Sequence, residues 1–524
     1  MPEESPLSDP AEFDYVVVGG GTAGAVVAAR LTEDPDVSVC VLEAGPSDVG
    51  DDNILQLTRW MALLESGYDW DYPVEPQENG NSFMRHARAK VLGGCSSHNS
   101  CIAFWAPAED LDEWSGKLGC TGWSAADCFP LYRLLETNDA PGDHHGRSGP
   151  VNIMTVPPED PCGAALLEAC AASGIPTTPF NTGKTVVRGA HWFQINSRTD
   201  GTRSSASVSY LHPVLGKRPN LEVRTGLQAK RLLLDDNRHC TGVEYLLPDT
   251  VHSGTVRARR EVIVSCGAID SPKLLMLSGI GPAGHLRECG VEVRVDSPGV
   301  GSHLQDHPEG VIMWAAKQPM VTKSTQWWEI GIFADTEPGL DRPDLMFHYG
   351  SVPFDLNTYR RGYPTTDNAF CLTPNVTRAR SMGTVRLRSR DFRDKPKVDP
   401  RYFTHEHDIR VMTYGLRLAR EIAAQAPMAD WAGAELAPGP DATTDDELFS
   451  YIRQTHNTVY HPAGTVRMGD PGDLDSPLDP ELRVKGVSGL RVADASIMPF
   501  LPAVNPCITT MMIGEKCSDM IKRS

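Results

Sequence analysis

The feature that most constrains the fold lies near the start of the chain, where residues 13–45 read FDYVVVGGGTAGAVVAARLTEDPDVSVCVLEAG. The pattern is a strand, a glycine turn, a helix and a second strand that ends on an acid. Gly19 allows a tight turn, Gly21 lets the backbone approach a pyrophosphate at the helix N-terminus, and Gly24 lets the helix pack closely on the strand. Glu43 stands where a ribose hydroxyl is expected, roughly 20 residues further on. The order predicts a parallel α/β sheet that binds a dinucleotide.

Length and charge narrow the class of protein. A chain of 524 residues exceeds one domain of about 150 residues, so we expect two or more domains around a large core. The formal net charge of −19 leaves no basic footprint for a phosphate backbone. We therefore expect small-molecule partners and no nucleic acid.

The cysteines and the apolar segments bear on the compartment. Thirteen cysteines are scattered along the chain, with no CxxC pair and no Cys/His cluster of zinc spacing. They are typical of free thiols in a reducing compartment and predict no metal site. The first residues, MPEESPLSDPAEFD, lack the basic start and apolar core of a signal peptide, and no run of about 18 apolar residues occurs. We expect a cytoplasmic protein without a membrane partner.

The pattern and composition of the sequence change twice along the chain. Short alternating segments between residues 221 and 269 predict strands, and the helix after them is expected to begin with Ser271 as N-cap and Pro272 in the first helical position. Residues 308–455 are richer in aromatic residues and proline, with a predicted helix over 409–424. The segment from Leu490 returns to the α/β pattern and leads into an amphipathic terminal helix. The nucleotide domain is therefore expected to be discontinuous, with a substrate domain inserted.

Two further segments carry a family resemblance. Residues 88–100 (RAKVLGGCSSHNS) and 267–282 (GAIDSPKLLMLSGIGP) resemble the two signatures of the glucose-methanol-choline (GMC) oxidoreductases, which are FAD enzymes. HPAGT from His461 and VADASIMP at 492–499 extend the resemblance over nearly the whole chain. The resemblance implies FAD and an α/β fold, with a Rossmann-like FAD-binding domain and an inserted α+β substrate domain built on an antiparallel sheet. The expected boundaries are 1–158, 200–308 and 459–524 for the FAD-binding domain, and 159–199 and 309–458 for the substrate domain.

The resemblance also implies how the flavin is held. Gly93 and Gly94 would let the backbone pass close under the flat ring system. In one family member, to which the resemblance is closer still, the histidine that matches His98 is covalently joined to the flavin, which makes the flavin a better hydride acceptor. Asp494 is implied as a further cofactor-binding residue. The plainer interpretation of His98 is a hydrogen-bonded loop histidine.

Alcohol oxidation by hydride transfer sets its own demands. The hydroxyl proton must leave, and the developing alkoxide must be held while the hydride moves. The resemblance assigns this chemistry to His461 and Asn505, with a hydrogen bond from His348 to the substrate oxygen and a tuning role for Ser100. Which imidazole accepts the proton stays open, and His348 is alternatively a satisfied core residue.

The substrate that the resemblance implies is choline, which carries a quaternary ammonium group. This group has no N–H to donate, so its recognition must rest on aromatic faces and a negative charge. By resemblance, Trp60, Trp328 and Tyr460 form an aromatic wall and Glu309 supplies the carboxylate. Glu309 comes just after Asp306-His307-Pro308 (residues 306–308), which the resemblance places near the flavin. An apolar side chain at Val459 would give O2 a place beside the flavin.

The implied function is oxidation of choline to betaine aldehyde and, through its hydrate, to glycine betaine, with two O2 reduced to hydrogen peroxide. Relatives with this resemblance are often homodimers. The alternatives are a dehydrogenase that passes electrons to a membrane quinone, a hydroxynitrile lyase that keeps flavin without redox chemistry, and a pure binding protein. Two departures from the resembling enzymes flank Asn505: Cys507 stands in place of asparagine, and the segment from Phe500 to Ala503 replaces a more polar stretch.

Overall fold

The fold is described from a computed structural model that covers residues 11–182, 188–247 and 251–524. The segment 1–10, on which the expectation of no signal peptide rests, lies outside the described residues. Two large sheets organise the rest of the chain, and each has its own hydrophobic core.

The first sheet, called here the nucleotide sheet, has seven strands within the described residues. Its centre is parallel: Ala11–Val18 lies between Ser253–Val264 and Val39–Leu42, and Leu490–Val492 pairs in parallel with the end of Ser253–Val264. Leu221–Arg224 extends the parallel part on one side, while Ala229–Leu234 and Cys240–Leu246 add antiparallel strands on the other. Strands from three distant parts of the chain thus form one sheet, as the discontinuous pattern predicts.

The predicted nucleotide motif is confirmed as a strand, turn, helix and strand. Ala11–Val18 leads through the glycine turn into the helix Thr22–Leu31, and Val39–Leu42 returns beside the first strand. Helix and turn are in close contact, because a Cβ placed on Gly24 would lie 2.0 Å from the carbonyl oxygen of Gly19.

The second sheet, called here the substrate sheet, has eight strands within the described residues, and all of its pairings are antiparallel. Its main path runs in the order Ala432–Ala437, Ile312–Ala316, Ala369–Val376, Leu345–Gly350, Trp328–Ala334 and Gly189–Trp192. The short strand Pro308–Glu309 pairs with both Ala369–Val376 and Asn457–Thr458. The prediction of an α/β fold with an antiparallel substrate sheet is confirmed.

Helices cover both sheets. The helices are Thr22–Leu31, Asp52–Leu55, Ala108–Gly116, Ala125–Leu135, Pro161–Ala172, Gly267–Leu277, Ala283–Glu288, Leu356–Tyr359, Glu406–Ala423, Asp445–Thr455 and Cys507–Arg523, with short 3-10 turns at Leu57–Leu63, Gly94–Ser97, Ala426–Met428 and Ala495–Ile497 and a π turn at Ser207–Leu211. The small strands are Tyr72–Pro73, Arg85–His86, Glu136–Asn138, Val151–Thr155, Gln194–Ile195, Ile280–Gly281, Val295–Asp296, Thr384–Arg386 and Lys397–Asp399. The predicted helix over 409–424 and the predicted terminal helix are both present.

The predicted helix start at Ser271 is wrong. The helix spans Gly267–Leu277, so Pro272 lies inside it. Ser271 lies inside the helix and is not its N-cap; its hydroxyl accepts the Cys266 N–H at 3.1 Å and donates to Asp494 Oδ2 at 2.5 Å. The missing N–H of Pro272 is tolerated because the carbonyl of Ala268, four residues earlier, accepts the Thr465 hydroxyl at 2.6 Å instead.

Three further observations concern thiols, metals and membranes. All thirteen cysteines are free, and nine of them are buried. In the described ranges there is no cluster of three or more His, Cys, Asp or Glu side chains suited to a metal ion. None of the helices in this part of the chain combines the length and the apolar character of a membrane span.

The contact at Gly24 leads to a stability prediction. Gly24→Ala should lower the Tm because the added methyl overlaps a backbone oxygen, and we expect about 1–3 kcal/mol of destabilisation from overpacking. The matched control is Gly284→Ala, in the helix Ala283–Glu288, where an added Cβ meets nothing within 4 Å. Thermal unfolding of both variants checks the prediction, and equal Tm values would contradict it.

Candidate active site

One cavity of about 280 Å³ connects the two sheets. At one end it is lined by the nucleotide motif, and at the other by residues of the substrate sheet and the last part of the chain. The predicted site residues that line it are Gly19, Gly21, Glu43, Trp60, Gly94, His98, Ser100, Glu309, Trp328, His348, Val459, Tyr460, His461, Asp494 and Asn505. Gly24 and Gly93, the other two predicted residues, lie behind this lining.

The nucleotide end has the features of an anion site. Gly21 is the N-cap of the helix Thr22–Leu31 and has no side chain to bond the free N–H groups of the first turn. Glu43 is buried and accepts N–H groups from Gly20 at 2.9 Å and Gly45 at 2.7 Å. Burial raises the pKa of its carboxyl to about 7, against the lowering effect of these backbone hydrogen bonds.

A second glycine loop lies directly over the first. A Cβ on Gly94 would be 2.8 Å from the Cα of Gly21, so neither loop leaves room for a side chain between them. Gly93 donates its N–H to the Gly20 carbonyl at 2.7 Å. The 3-10 turn Gly94–Ser97 then delivers His98 to the cavity wall.

His98 is held as a neutral ring. Its Nε2 lies 3.0 Å from the carbonyl oxygen of Leu63, which can only accept, so Nε2 carries the proton and Nδ1 keeps its lone pair. Burial lowers the pKa of this imidazole to about 3, and nearby Arg203 and Arg88 act in the same direction. A neutral imidazole with a free lone pair is the nucleophilic form of histidine.

Asp494 joins the last strand of the nucleotide sheet to the helix Gly267–Leu277. Its carboxylate accepts the Gly267 N–H at 2.9 Å, the Ser271 hydroxyl and, at 2.8 Å, the Ser496 N–H. Burial raises the pKa of the Asp494 carboxyl. Asp494 therefore shapes the cavity wall beside the nucleotide motif.

At the opposite end, His461 stands between a second histidine and an amide. His461 Nδ1 lies 3.0 Å from Nδ1 of His307, and His461 Nε2 lies 3.5 Å from Nδ2 of Asn505. The Asn505 amide nitrogen is a donor, so Nε2 of His461 is the acceptor in this arrangement. Burial lowers the pKa of His461 well below its usual value, and repulsion from His307 and His348 adds to the effect.

A carboxylate and a third histidine face the same space. Glu309 is 4 % exposed, and its Oε1 lies 3.7 Å from Nδ1 of His348. Burial raises the pKa of the Glu309 carboxyl, which the His348 contact partly offsets. His348 is in the middle of the strand Leu345–Gly350, and Asn375 on the neighbouring strand approaches its Nδ1 at 3.3 Å.

Aromatic rings line the same cavity as this carboxylate. Trp60 and Trp328 meet edge to face with centroids 5.5 Å apart, and Phe354 meets Trp328 in the same way at 5.3 Å. The Trp60 ring is fixed by a hydrogen bond from Nε1 to the Gln326 carbonyl at 2.8 Å. Tyr460 completes the lining from the segment that carries His461.

Two buried polar atoms in the cavity indicate where a ligand would bind. In the part of the chain that the structure describes, His348 Nε2 and Asn505 Oδ1 are buried without a hydrogen-bond partner. Both residues line the cavity. Because buried polar atoms are nearly always paired, these two atoms mark where a ligand with polar groups would bind.

The two departures near Asn505 have different surroundings. Cys507 lines the cavity, and burial raises the pKa of its thiol to about 12, so it remains protonated. Phe500 faces away and packs edge to face on Trp114, with centroids 6.0 Å apart. The Ala503 N–H is bound by buried Asp110 at 2.9 Å, so a side chain of another segment holds the backbone ahead of Asn505.

Sequence reasoning missed several contributors to the site. His307, Asp306 and Thr458 contact the segment of His461, and Phe354 extends the aromatic wall. The resemblance placed Asp306-His307-Pro308 near the flavin, but the contacts of Asp306 and His307 with the segment of His461 were not predicted.

Family models match most of the chain. The N-terminal model, described as GMC oxidoreductase, covers residues 13–309, and the C-terminal model of the same description covers residues 379–514.

Relatives match over nearly the full length. The chain is 69% identical to the choline oxidase of Arthrobacter globiformis, over 98% of this chain and 95% of the relative. It is 37% identical to an oxygen-dependent choline dehydrogenase of Pseudomonas aeruginosa, over 98% of this chain and 95% of the relative. Among solved structures, a formate oxidase variant of Aspergillus oryzae, studied for its FAD modification, superposes with a TM-score of 0.91 at 26% identity, over 98% of this chain and 99% of that one.

Proposed function

This chain belongs to the GMC oxidoreductase family, and from that membership we propose that it is an FAD-dependent oxidase of choline. The product is glycine betaine, formed through betaine aldehyde and its hydrate, and two O2 become hydrogen peroxide. The observation that carries the proposal is a buried carboxylate, Glu309, which lines the same cavity as the aromatic rings, His461 and Asn505. The 69% identity to a choline oxidase supports it.

The residues present fit FAD. The helix N-terminus at Gly21, which has no side-chain cap, suits a pyrophosphate, and the Glu43 carboxylate suits a ribose hydroxyl. The Gly21 and Gly94 loops present backbone without side chains, which suits a flat ring system. His98 and Asp494 complete the lining that would hold the cofactor. When bound, FAD supplies the two-electron acceptor for a hydride and passes the electrons to O2.

His461 is the proposed base. Its Nε2 is unprotonated in this arrangement and faces the cavity beside the Asn505 amide. The alcohol hydroxyl would displace the long 3.5 Å contact between Asn505 Nδ2 and His461 Nε2 and give its proton to that nitrogen. The released Asn505 N–H and Nε2 of His348 would then donate to the oxygen as charge develops on it.

Glu309 is proposed to recognise the trimethylammonium group. A carboxylate buried without a cation is costly, by several kcal/mol per ion. A permanently charged guest removes that cost, and the faces of Trp60, Trp328 and Tyr460 add cation–π attraction. The His348 imidazole at 3.7 Å then lies between the carboxylate and the reacting oxygen.

The remaining expectations stay proposals. Val459 lines the cavity and would offer O2 an apolar place, and Ser100 would tune the flavin from the opposite loop. We further propose a covalent flavin link at His98, a homodimer in the cytoplasm, and domain boundaries near residues 158, 199, 308 and 458.

One mixing experiment tests the reaction. Added to the purified yellow protein without air, choline should bleach the flavin absorbance, and admitted air should restore it with formation of hydrogen peroxide. A lyase would not bleach, and a dehydrogenase would bleach but form no peroxide in air. The proposal would be contradicted if the purified protein were colourless, or if choline left the flavin absorbance unchanged.

A charge-neutral substitution tests ammonium recognition. Glu309→Gln should raise the KM for choline roughly 100-fold or more, since an uncompensated buried charge costs about 3–5 kcal/mol. Turnover of 3,3-dimethylbutan-1-ol, which has the shape of choline without its charge, should change little. Glu329→Gln is the matched control, because that carboxylate is equally buried but bonded to Ser324 and Thr325. Equal losses on both alcohols would refute the role of the charge.

Acid precipitation tests the covalent link. The yellow chromophore should sediment with the wild-type protein and stay in the supernatant with His98→Ala, because only a bonded flavin survives unfolding. His239→Asn, a substitution outside the cavity lining, should retain the colour in the pellet. Chromophore released from the wild type would show that no link forms.

A further inference from the structure

The turn that carries His461 has an unfavourable backbone. Tyr460, the residue before it, has φ of 61°, in the left-handed region that side chains disfavour. Such a conformation persists only when the surrounding structure determines it. The contacts that impose this conformation therefore also determine where the next residue, His461, lies.

Every N–H of this turn has an identified acceptor. The Val459 N–H donates to the His307 carbonyl at 3.1 Å, and the Tyr460 N–H donates to Thr458 Oγ1 at 2.8 Å. The His461 N–H donates to Asp306 Oδ1 at 2.9 Å. Two of these three acceptors are side chains.

The two side chains are bonded to each other. The Thr458 hydroxyl donates to Asp306 Oδ2, the oxygen that also accepts the Tyr402 hydroxyl. Thr458 and Asp306 are 0 % and 5 % exposed. His86 Nε2, 2.9 Å from the Tyr402 oxygen and 3.5 Å from Asp306 Oδ2, completes a buried polar group behind the turn.

We propose that the buried Asp306–Thr458 pair is a positioning device that holds the turn at Tyr460 and thereby sets the place of the His461 imidazole. The proposal rests on the proposed role of His461. Asp306 binds its backbone, and the adjoining His307 binds its ring at 3.0 Å. Asp306 and His307 thus fix the backbone and the ring of His461. Thr458 links the Asp306 carboxylate to the strained residue Tyr460, because its hydroxyl donates to Asp306 and accepts the Tyr460 N–H.

Substitutions that keep or remove only the hydroxyl of Thr458 test the proposed positioning role. This hydroxyl donates once and accepts once, which serine can reproduce and valine cannot. Valine matches threonine in shape and is equally suited to a strand. Thr458→Ser should keep kcat/KM for choline within about twofold of wild type. Thr458→Val and Thr458→Ala should lower it about 10-fold or more, because misplaced catalytic groups cost up to about 100-fold.

The second readout does not depend on turnover. Histidine NMR of the holoenzyme, labelled at the ring carbon, should show a raised pKa for His461 in the valine and alanine variants, since a loosened ring is less desolvated and less close to His307 and His348, with Arg88 as the other nearby charge. The serine variant should match wild type. This readout remains informative if choline proves not to be the substrate, so failure of the proposed function is distinguishable.

Thr455 provides the control. It is also buried, but its hydroxyl donates to the Tyr451 carbonyl within a helix. Thr455→Val should leave both readouts unchanged. The proposal is overturned if Thr458→Val equals wild type, if serine is as impaired as valine, or if rates fall while the His461 pKa stays constant. The alanine variant decides the matter should the valine variant fail to fold.

Discussion

The site depends on the pairing of two very short strands. Pro308–Glu309 runs antiparallel to Asn457–Thr458, with Pro308 opposite Thr458 and Glu309 opposite Asn457. Glu309 also pairs with Asn375 of the substrate sheet. This register brings the carboxylate that lines the cavity close to the turn of His461, and His307, next to Pro308, contacts both the backbone and the ring of that turn.

Burial determines the electrostatics of the site. The imidazoles of His98, His307 and His461 all have lowered pKa values, chiefly because an apolar surrounding penalises their charged forms. Burial raises the pKa of Glu309 for the same reason. The cavity therefore presents neutral rings able to accept a proton and an acid whose ionised form gains from a cationic guest.

The sequence predicted the fold because strands, helices and glycine turns leave local signals, whereas the residues proposed for the substrate end of the cavity came from family resemblance. Hydrophobic periodicity and glycine spacing revealed the nucleotide motif, and the two signatures led to His98 and the family. The predicted start at Ser271 was wrong because the helix begins at Gly267, whose N–H is bound by a distant residue, Asp494. The sequence drew attention to Asp306 and His307 by resemblance but not to their contacts with Thr458 and His461, because these contacts join segments more than 150 residues apart and no local pattern records them.

The same wide separation limits how such a chain can be recombined. Side chains that meet in the cavity come from positions as distant as Trp60 and Asn505. A crossover with a diverged relative between residues 309 and 457 would join a Glu309 strand from one parent to a Thr458 strand from the other. Such a chimera keeps the site only where the segments of both parents preserve the pairing of Pro308–Glu309 with Asn457–Thr458.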